Sequence, residues 1–271
     1  MQETWRVIID EPARGSWNMA VDNALLDAAN EQGFTPTLRL YSWDPACLSL
    51  GHAQPLNEVD VKSVVENKWD LVRRPTGGRA ILHVDELTYS ITGSTDLPLL
   101  QGGILDSYQR ISLALLTFLQ IYGLKPISSE NTSSGGNNPE PVCFETPSNY
   151  EITVSGKKII GSAQARKNNA VLQHGAIPLS GDITRITKVL RYPNEETRKH
   201  AAERVLSRAT TIQAESGRNI SWETAVTDFI TAFEMVHQIT LIPGNLSADE
   251  INAARKFEED KFGNATWTGR I

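Results

Sequence analysis

Between residues 18 and 31 the apolar positions Val21, Ala24, Leu25 and Ala28 recur at helical spacing. The runs TLRLYSW (37–43) and CLSLG (47–51) are instead rich in strand formers and are separated by Asp44-Pro45. The pattern predicts a helix followed by two strands. Residues 105–122 set Tyr108, Ile111, Leu115, Phe118, Leu119 and Tyr122 on one stripe that stops at Gly123, which predicts a second helix. Between the two helices, WDLVRRPTGGRAILH and LTYSITG read as strand, glycine turn, strand and strand. Residues 128–141 are small, polar and turn-forming, so they read as a loop, and Cys143 follows. YEITV then alternates, Ser155-Gly156 supplies a tight turn, KKIIGSAQAR returns and VLQHGAIPL adds a strand. Helices are expected near 221–237 and from Ser247, where Glu250 completes a Ser-x-x-Glu capping box. Strands and helices come in runs rather than in strict alternation. The expected class is therefore α+β, with a mixed, largely antiparallel sheet flanked by helices. Neither a repeat nor a composition break divides the chain, so residues 1–271 are expected to form one domain.

Composition narrows the functional classes. With 271 residues, 40% hydrophobic and 21% charged, the chain has ordinary globular proportions. A net charge of -6 argues against a general nucleic-acid binder, which needs a basic face. The start, MQETWRVIIDEP, lacks a basic n-region, and no stretch reaches the ~20 apolar residues of a membrane span, so a cytoplasmic protein is expected. Two cysteines without a CxxC pair or Cys/His cluster predict neither a disulfide framework nor a metal site. Positive charge gathers at Arg73/Arg74/Arg79 and at Lys157/Lys158/Arg166/Lys167. Each cluster is either a solvated face or a landing site for an acidic partner or an anionic ligand.

Two stretches carry candidate chemistry. In RRPTGGRAILH, Gly77 and Gly78 remove two consecutive Cβ atoms, so backbone N–H groups can approach an acyl or phosphate group. The spacing is neither GxxxxGK[ST] nor GxGxxG, and a hairpin turn is the plainer reading. His83 is either an acid/base group or a hydrogen-bonded core histidine. Cys143 is either buried filler or a nucleophile, and the second needs a lowered pKa that a nearby lysine could supply. Lys158 is the candidate, because period-two alternation sends Lys157 and Lys158 to opposite faces. Spacing alone does not bring Cys143 to Lys158.

Taken together, RRPTGGRAILH with LTYSI, and GKKIIGSAQAR with LQHGAIPL, resemble the lipoyl-attachment branch of the biotin/lipoate protein ligase superfamily. NMAVDNALL, LRLYSWDPACLSLG and KFGNATWTGR extend the resemblance along essentially the whole chain. Within that branch, CFETPSNYE is similar to the signature of octanoyltransferases that carry an acyl-thioester cysteine, which the ATP-dependent lipoate ligases do not require. The resemblance implies an α+β ligase-like fold without a separate C-terminal accessory domain. It assigns Cys143 as nucleophile and Lys158 as the catalytic or acyl-orienting lysine. Arg73, Gly77, Gly78, His83, Ser162, Ala163, His174 and Gly175 would line the acyl pocket, and Cys47 would lie in the core. The implied reaction moves octanoyl from octanoyl-acyl carrier protein to a lysine of an apo lipoyl domain or glycine cleavage H protein, without cofactor or metal. An ATP-dependent lipoate ligase, an amidotransferase between lipoyl-accepting proteins and a non-catalytic binding module are the alternatives.

Overall fold

The computed structural model describes residues 3–130 and 150–271, so Cys143 and most of the segment read as a loop lie outside the described residues. In chain order the elements are β1 (Glu3–Ile9), α1 (Gly15–Ala28), β2 (Thr37–Tyr41), β3 (Cys47–Leu50), α2 (Val61–Glu66), β4 (Asp70–Arg73), β5 (Ile81–His83) and β6 (Glu86–Ser94). They continue as α3 (Ile104–Ile121), β7 (Ile127–Glu130), β8 (Tyr150–Val154), β9 (Lys157–Lys167), β10 (Ala170–Pro178), α4 (Glu195–Arg208), α5 (Ile212–Ser216), α6 (Trp222–His237), β11 (Ile239–Pro243), α7 (Ala248–Phe257) and α8 (Ala265–Thr268).

The expected mixed sheet is present: eight strands run in the order β11-β1-β2-β6-β10-β9-β8-β7. The pairings of β1 with β11 and with β2 are parallel; the other pairings of this sheet among the described residues are antiparallel. The β8–β9 turn uses Ser155 at φ 52 and Gly156 at φ 77, the two consecutive positive φ values that a two-residue hairpin favours. Strand β7 reaches into the segment expected to be a loop.

The glycine segment is not a hairpin. Strands β4 and β5 do not pair with each other; both flank β3, one parallel and one antiparallel, in a separate small sheet. The chain through Gly77 and Gly78 therefore arches over the end of β3 rather than folding back on a neighbour.

One face of the large sheet packs on α3 and α6 through Ile111, Leu115, Phe118, Phe229 and Phe233. The other carries α1, whose Met19 and Leu25 meet Tyr41, Trp43 and Val72. A further cluster joins β3 to α2 and α4 through Leu48, Leu50, Val64 and Val205. Among the described residues no helix is long and apolar enough to cross a membrane.

Candidate active site

A cavity of about 410 Å³ lies between the large sheet and the small one, within the range usual for small-molecule sites. Strands β9 and β10 contribute Lys158, Gly161, Ser162, Ala163, Gln164, His174, Gly175 and Ala176, and the facing wall carries Ser49, Arg74, Gly77, Gly78, Ile81 and His83. Met19, Tyr41, Trp43 and Ile104 make the remainder predominantly apolar.

The expected lining residues Gly77, Gly78, His83, Ser162, Ala163, His174 and Gly175 thus come together around one space with Lys158. Arg73 does not join them. Its side chain is fully buried, and its guanidinium donates to the carbonyls of Gly51, Gln54 and Thr268 at 2.9, 2.6 and 2.7 Å. The next residue, Arg74, points the other way into the wall. It donates to Ser49 Oγ at 3.0 Å and to the carbonyls of Gly77 and Arg79 at 2.9 and 2.8 Å, an internal staple for the glycine loop. Gly78 has φ +93, and a Cβ on Gly51 would fall 1.8 Å from the Gly78 carbonyl oxygen. The loop is seated on a backbone that tolerates no side chain at residue 51.

Both wall histidines are fixed between a carboxylate and a hydroxyl. His83 Nδ1 lies 2.5 Å from Glu86 and its Nε2 2.7 Å from Ser49 Oγ, while its ring stacks on Trp43 with centroids 4.0 Å apart. It is thus both hydrogen-bonded core and cavity wall. His174 Nδ1 lies 2.8 Å from Asp22 Oδ2 and its Nε2 2.7 Å from Thr76 Oγ1. A carboxylate only accepts, so Nδ1 carries the hydrogen in each ring.

Asp22 is the hub of this wall. Register places Arg39 of β2 and His174 of β10 on either side of Ser90 in β6, and α1 lays Asp22 over that row. Its carboxylate accepts from Arg39 at 2.9 Å, Ser90 at 2.9 Å, Tyr41 at 2.9 Å and His174, so a fully buried charge is completely hydrogen-bonded. Burial alone would raise its pKa, but the His174 hydrogen bond and the Arg39 charge outweigh it and hold Asp22 below the ordinary carboxylate value. Burial pushes the Tyr41 hydroxyl well up.

On strand β9, Lys158 Nζ makes an ion pair with Glu151 at 3.1 Å, both side chains being largely buried. Ser162 Oγ is 2.8 Å from the Tyr89 hydroxyl, which burial pushes up to about 12. Gly175 sits between them in register, where a Cβ would come within 2.8 Å of both side chains and of the Gly161 carbonyl. Cys47 is fully buried and burial raises its thiol well above the usual range, as suits a core position.

Sequence reasoning missed Asp22, Glu151, Trp43 and Ser49. Only Trp43 carried a signal, an aromatic ending a strand-forming run; Ser49 and Glu151 depend on strand pairing, and Asp22 on where α1 lies over the sheet.

Residues 14–234 match the lipoyl protein ligase A/B catalytic domain family. The chain belongs to that family. Among lipoyl ligase-family relatives it is 36% identical over 274 residues to a Brevibacillus brevis protein named octanoyltransferase LipM, covering 99% of each. It is 34% identical over 272 residues to the protein of that name from Bacillus subtilis, covering 98% of each. In fold it is similar to a bipartite lipoate protein ligase from Thermoplasma acidophilum, with TM-score 0.83 and 23% identity over 99% of this chain and 98% of that one. A lipoate-protein ligase A bound with ATP superposes with TM-score 0.80 and 24% identity, covering 99% and 100%. These two likenesses concern the fold.

Proposed function

We propose that the chain is an octanoyltransferase of lipoate biosynthesis. It takes octanoyl from acyl carrier protein onto Cys143 and passes it to a lysine of a lipoyl-accepting protein such as the glycine cleavage H protein. The observation that carries this reading is identity of 34 to 38% along nearly the whole chain to proteins named octanoyltransferases. The cavity adds a physical reason. Its apolar part suits an alkyl chain, each buried CH₂ contributing about 0.8 kcal/mol, and Lys158 stands in its wall.

In the first step the Cys143 thiolate attacks the donor thioester carbonyl, the bond from that carbon to the carrier sulfur breaks, and the carrier thiol leaves with a proton. In the second, the acceptor amine attacks the new thioester, an amide C–N bond forms, Cys143 departs as thiolate and the amine proton passes to solvent or a base. The charge developing on the carbonyl oxygen needs donors, and the Lys158 ammonium with the glycine-loop amides offers them. Thioester exchange is nearly balanced and amide formation is downhill, so neither step calls for activation by ATP.

The test is to mix the protein with octanoyl carrier protein and an apo acceptor without ATP and to follow the masses of all three. Octanoyl is expected first on the enzyme, removable by hydroxylamine and absent from Cys143→Ser, and then on the acceptor. Acceptor modification that requires ATP and free octanoate would identify a ligase instead. An adduct that survives Cys143→Ser would remove Cys143 as nucleophile.

A further inference from the structure

Apart from Lys157, the basic residues expected to receive a partner are engaged with groups of this chain. Arg73 and Arg74 hold backbone carbonyls, Arg79 pairs with Glu58, Lys158 with Glu151 and Lys167 with Asp27, while Arg166 holds the carbonyls of Leu100 and Gly103. Unneutralised positive charge gathers instead around Trp267. The Arg270 guanidinium lies 3.9 Å and the Lys261 ammonium 4.4 Å from the centre of its ring. Their hydrogen-bond partners among the described residues are neutral: Lys261 donates to Asn23 Oδ1 at 3.0 Å and Arg270 to the His52 carbonyl at 2.7 Å. His52 is exposed and sets its ring edge towards Trp267. Burial, then the charges of Arg270, Lys261 and Arg73, hold His52 below its ordinary pKa, so those three cations converge on it. Asp27 is the acid that acts on Lys261, and Lys167 already occupies it.

This patch adjoins the cavity through the backbone. The His52 N–H donates to the Thr76 carbonyl at 2.8 Å, and the preceding residue, Gly51, lies directly under Gly78. The cations therefore stand on the outer side of the loop whose inner side lines the cavity. In a chain of net charge -6, such a patch orients an acidic partner that the remaining surface repels.

We propose that the Lys261–Trp267–Arg270 patch, with His52, docks the acidic face of the carrier protein that donates the acyl chain. The proposal rests on the functional reading above and deepens it. Reaction chemistry favours donor over acceptor. The donor brings an uncharged thioester to the cavity, whereas the acceptor must bring a lysine amine that is cationic before it reacts and that these cations repel.

The test measures the second-order rate of enzyme acylation by three donors: octanoyl carrier protein, octanoyl-phosphopantetheine and octanoyl-N-acetylcysteamine. Arg270→Glu is expected to slow the carrier-protein reaction about tenfold or more at low salt, with the gap closing as salt is added. Both small donors should stay within about twofold of the wild type. If Arg270→Glu does not fold, Arg270→Gln carries the same comparison with a smaller expected gap. Equal loss with all three donors, loss shared by octanoyl-phosphopantetheine, no loss at all, or loss confined to transfer onto the acceptor would each overturn the proposal. A wild-type protein that accepts octanoyl from none of the donors would remove the functional reading and this proposal with it.

Discussion

Lys158 and Lys157 are neighbours in sequence with opposite environments. Lys158 is 4% exposed and paired with Glu151 inside the cavity wall, whereas Lys157 is only half-buried. An unpaired ammonium beside an apolar cavity would be costly, and Glu151 offsets that cost while fixing where Nζ points. Lys158→Gln is therefore expected to lower the single-turnover rate of acyl transfer by about 10²-fold or more, and Lys157→Gln by less than about twofold. Because Lys158→Gln strips Glu151 of its ion-pair partner, thermal midpoints should be recorded alongside the rates. A rate loss that merely tracks the midpoint, or equal losses in both variants, would place Lys158 in the scaffold and not in the chemistry. Alternation along one strand distinguished these two lysines in the sequence. Glu151 is reached only across the β8–β9 pairing, where Lys158 lies opposite Thr153 and the register shifts just beyond it, between Ile152 and Thr153.

At the level of elements, what was legible followed from local pattern and what was not followed from partners distant in sequence. The stripes of α3 and α6, the Ser247 capping box and the Ser155-Gly156 turn each declare themselves within a few residues, and each is present. Helix α4 escaped because it buries only Ala201 and Val205, too narrow a stripe to stand out in EETRKHAAERVLSR. The glycine loop was misread as a hairpin because two strands joined by Gly-Gly look alike whether or not a third strand runs between them. The row Arg39, Ser90 and His174 under Asp22 likewise exists only once β2, β6 and β10 pair. The seating of the glycine loop yields a sharp contrast. Gly51→Ala must move backbone, since its Cβ would lie 1.8 Å from the Gly78 oxygen, while a Cβ on Gly77 meets nothing within 4 Å. Gly51→Ala is expected to cost roughly 1–3 kcal/mol in denaturant unfolding and to slow enzyme acylation, with Gly77→Ala close to wild-type stability. Matching midpoints for the two variants would show that the loop moves freely on β3.

Across the whole molecule, two buried groups make the fold acid-sensitive in different windows. His237 ends α6, where the helix dipole favours a cation, but among the described residues its buried Nε2 has no hydrogen-bond partner and burial wins, pushing the imidazole down from 6.5 to about 4. Between those values the unfolded chain binds a proton that the fold refuses, so stability is full above pH 6.5 and falls as the pH drops towards 4. Partial exposure of the ring discounts the effect to on the order of 1–2 kcal/mol. Asp22 acts lower on the scale. Its folded value lies below the ordinary 3.8, so the stability it contributes is present above that pH and is lost as the pH falls further and the carboxylate is protonated. The consequence there is larger than one hydrogen bond, because Arg39, fully buried, loses the charge of one of its two acidic partners. Denaturant unfolding across pH 8 to 3 should therefore show a gentle decline beginning near 6.5 and a steeper one below about 4. His237→Phe, which keeps the edge-on contact with Phe233 and removes the titrating group, should flatten the first decline and leave the second. A His237→Phe profile parallel to that of the wild type throughout would assign the first decline to other groups and deny His237 its role.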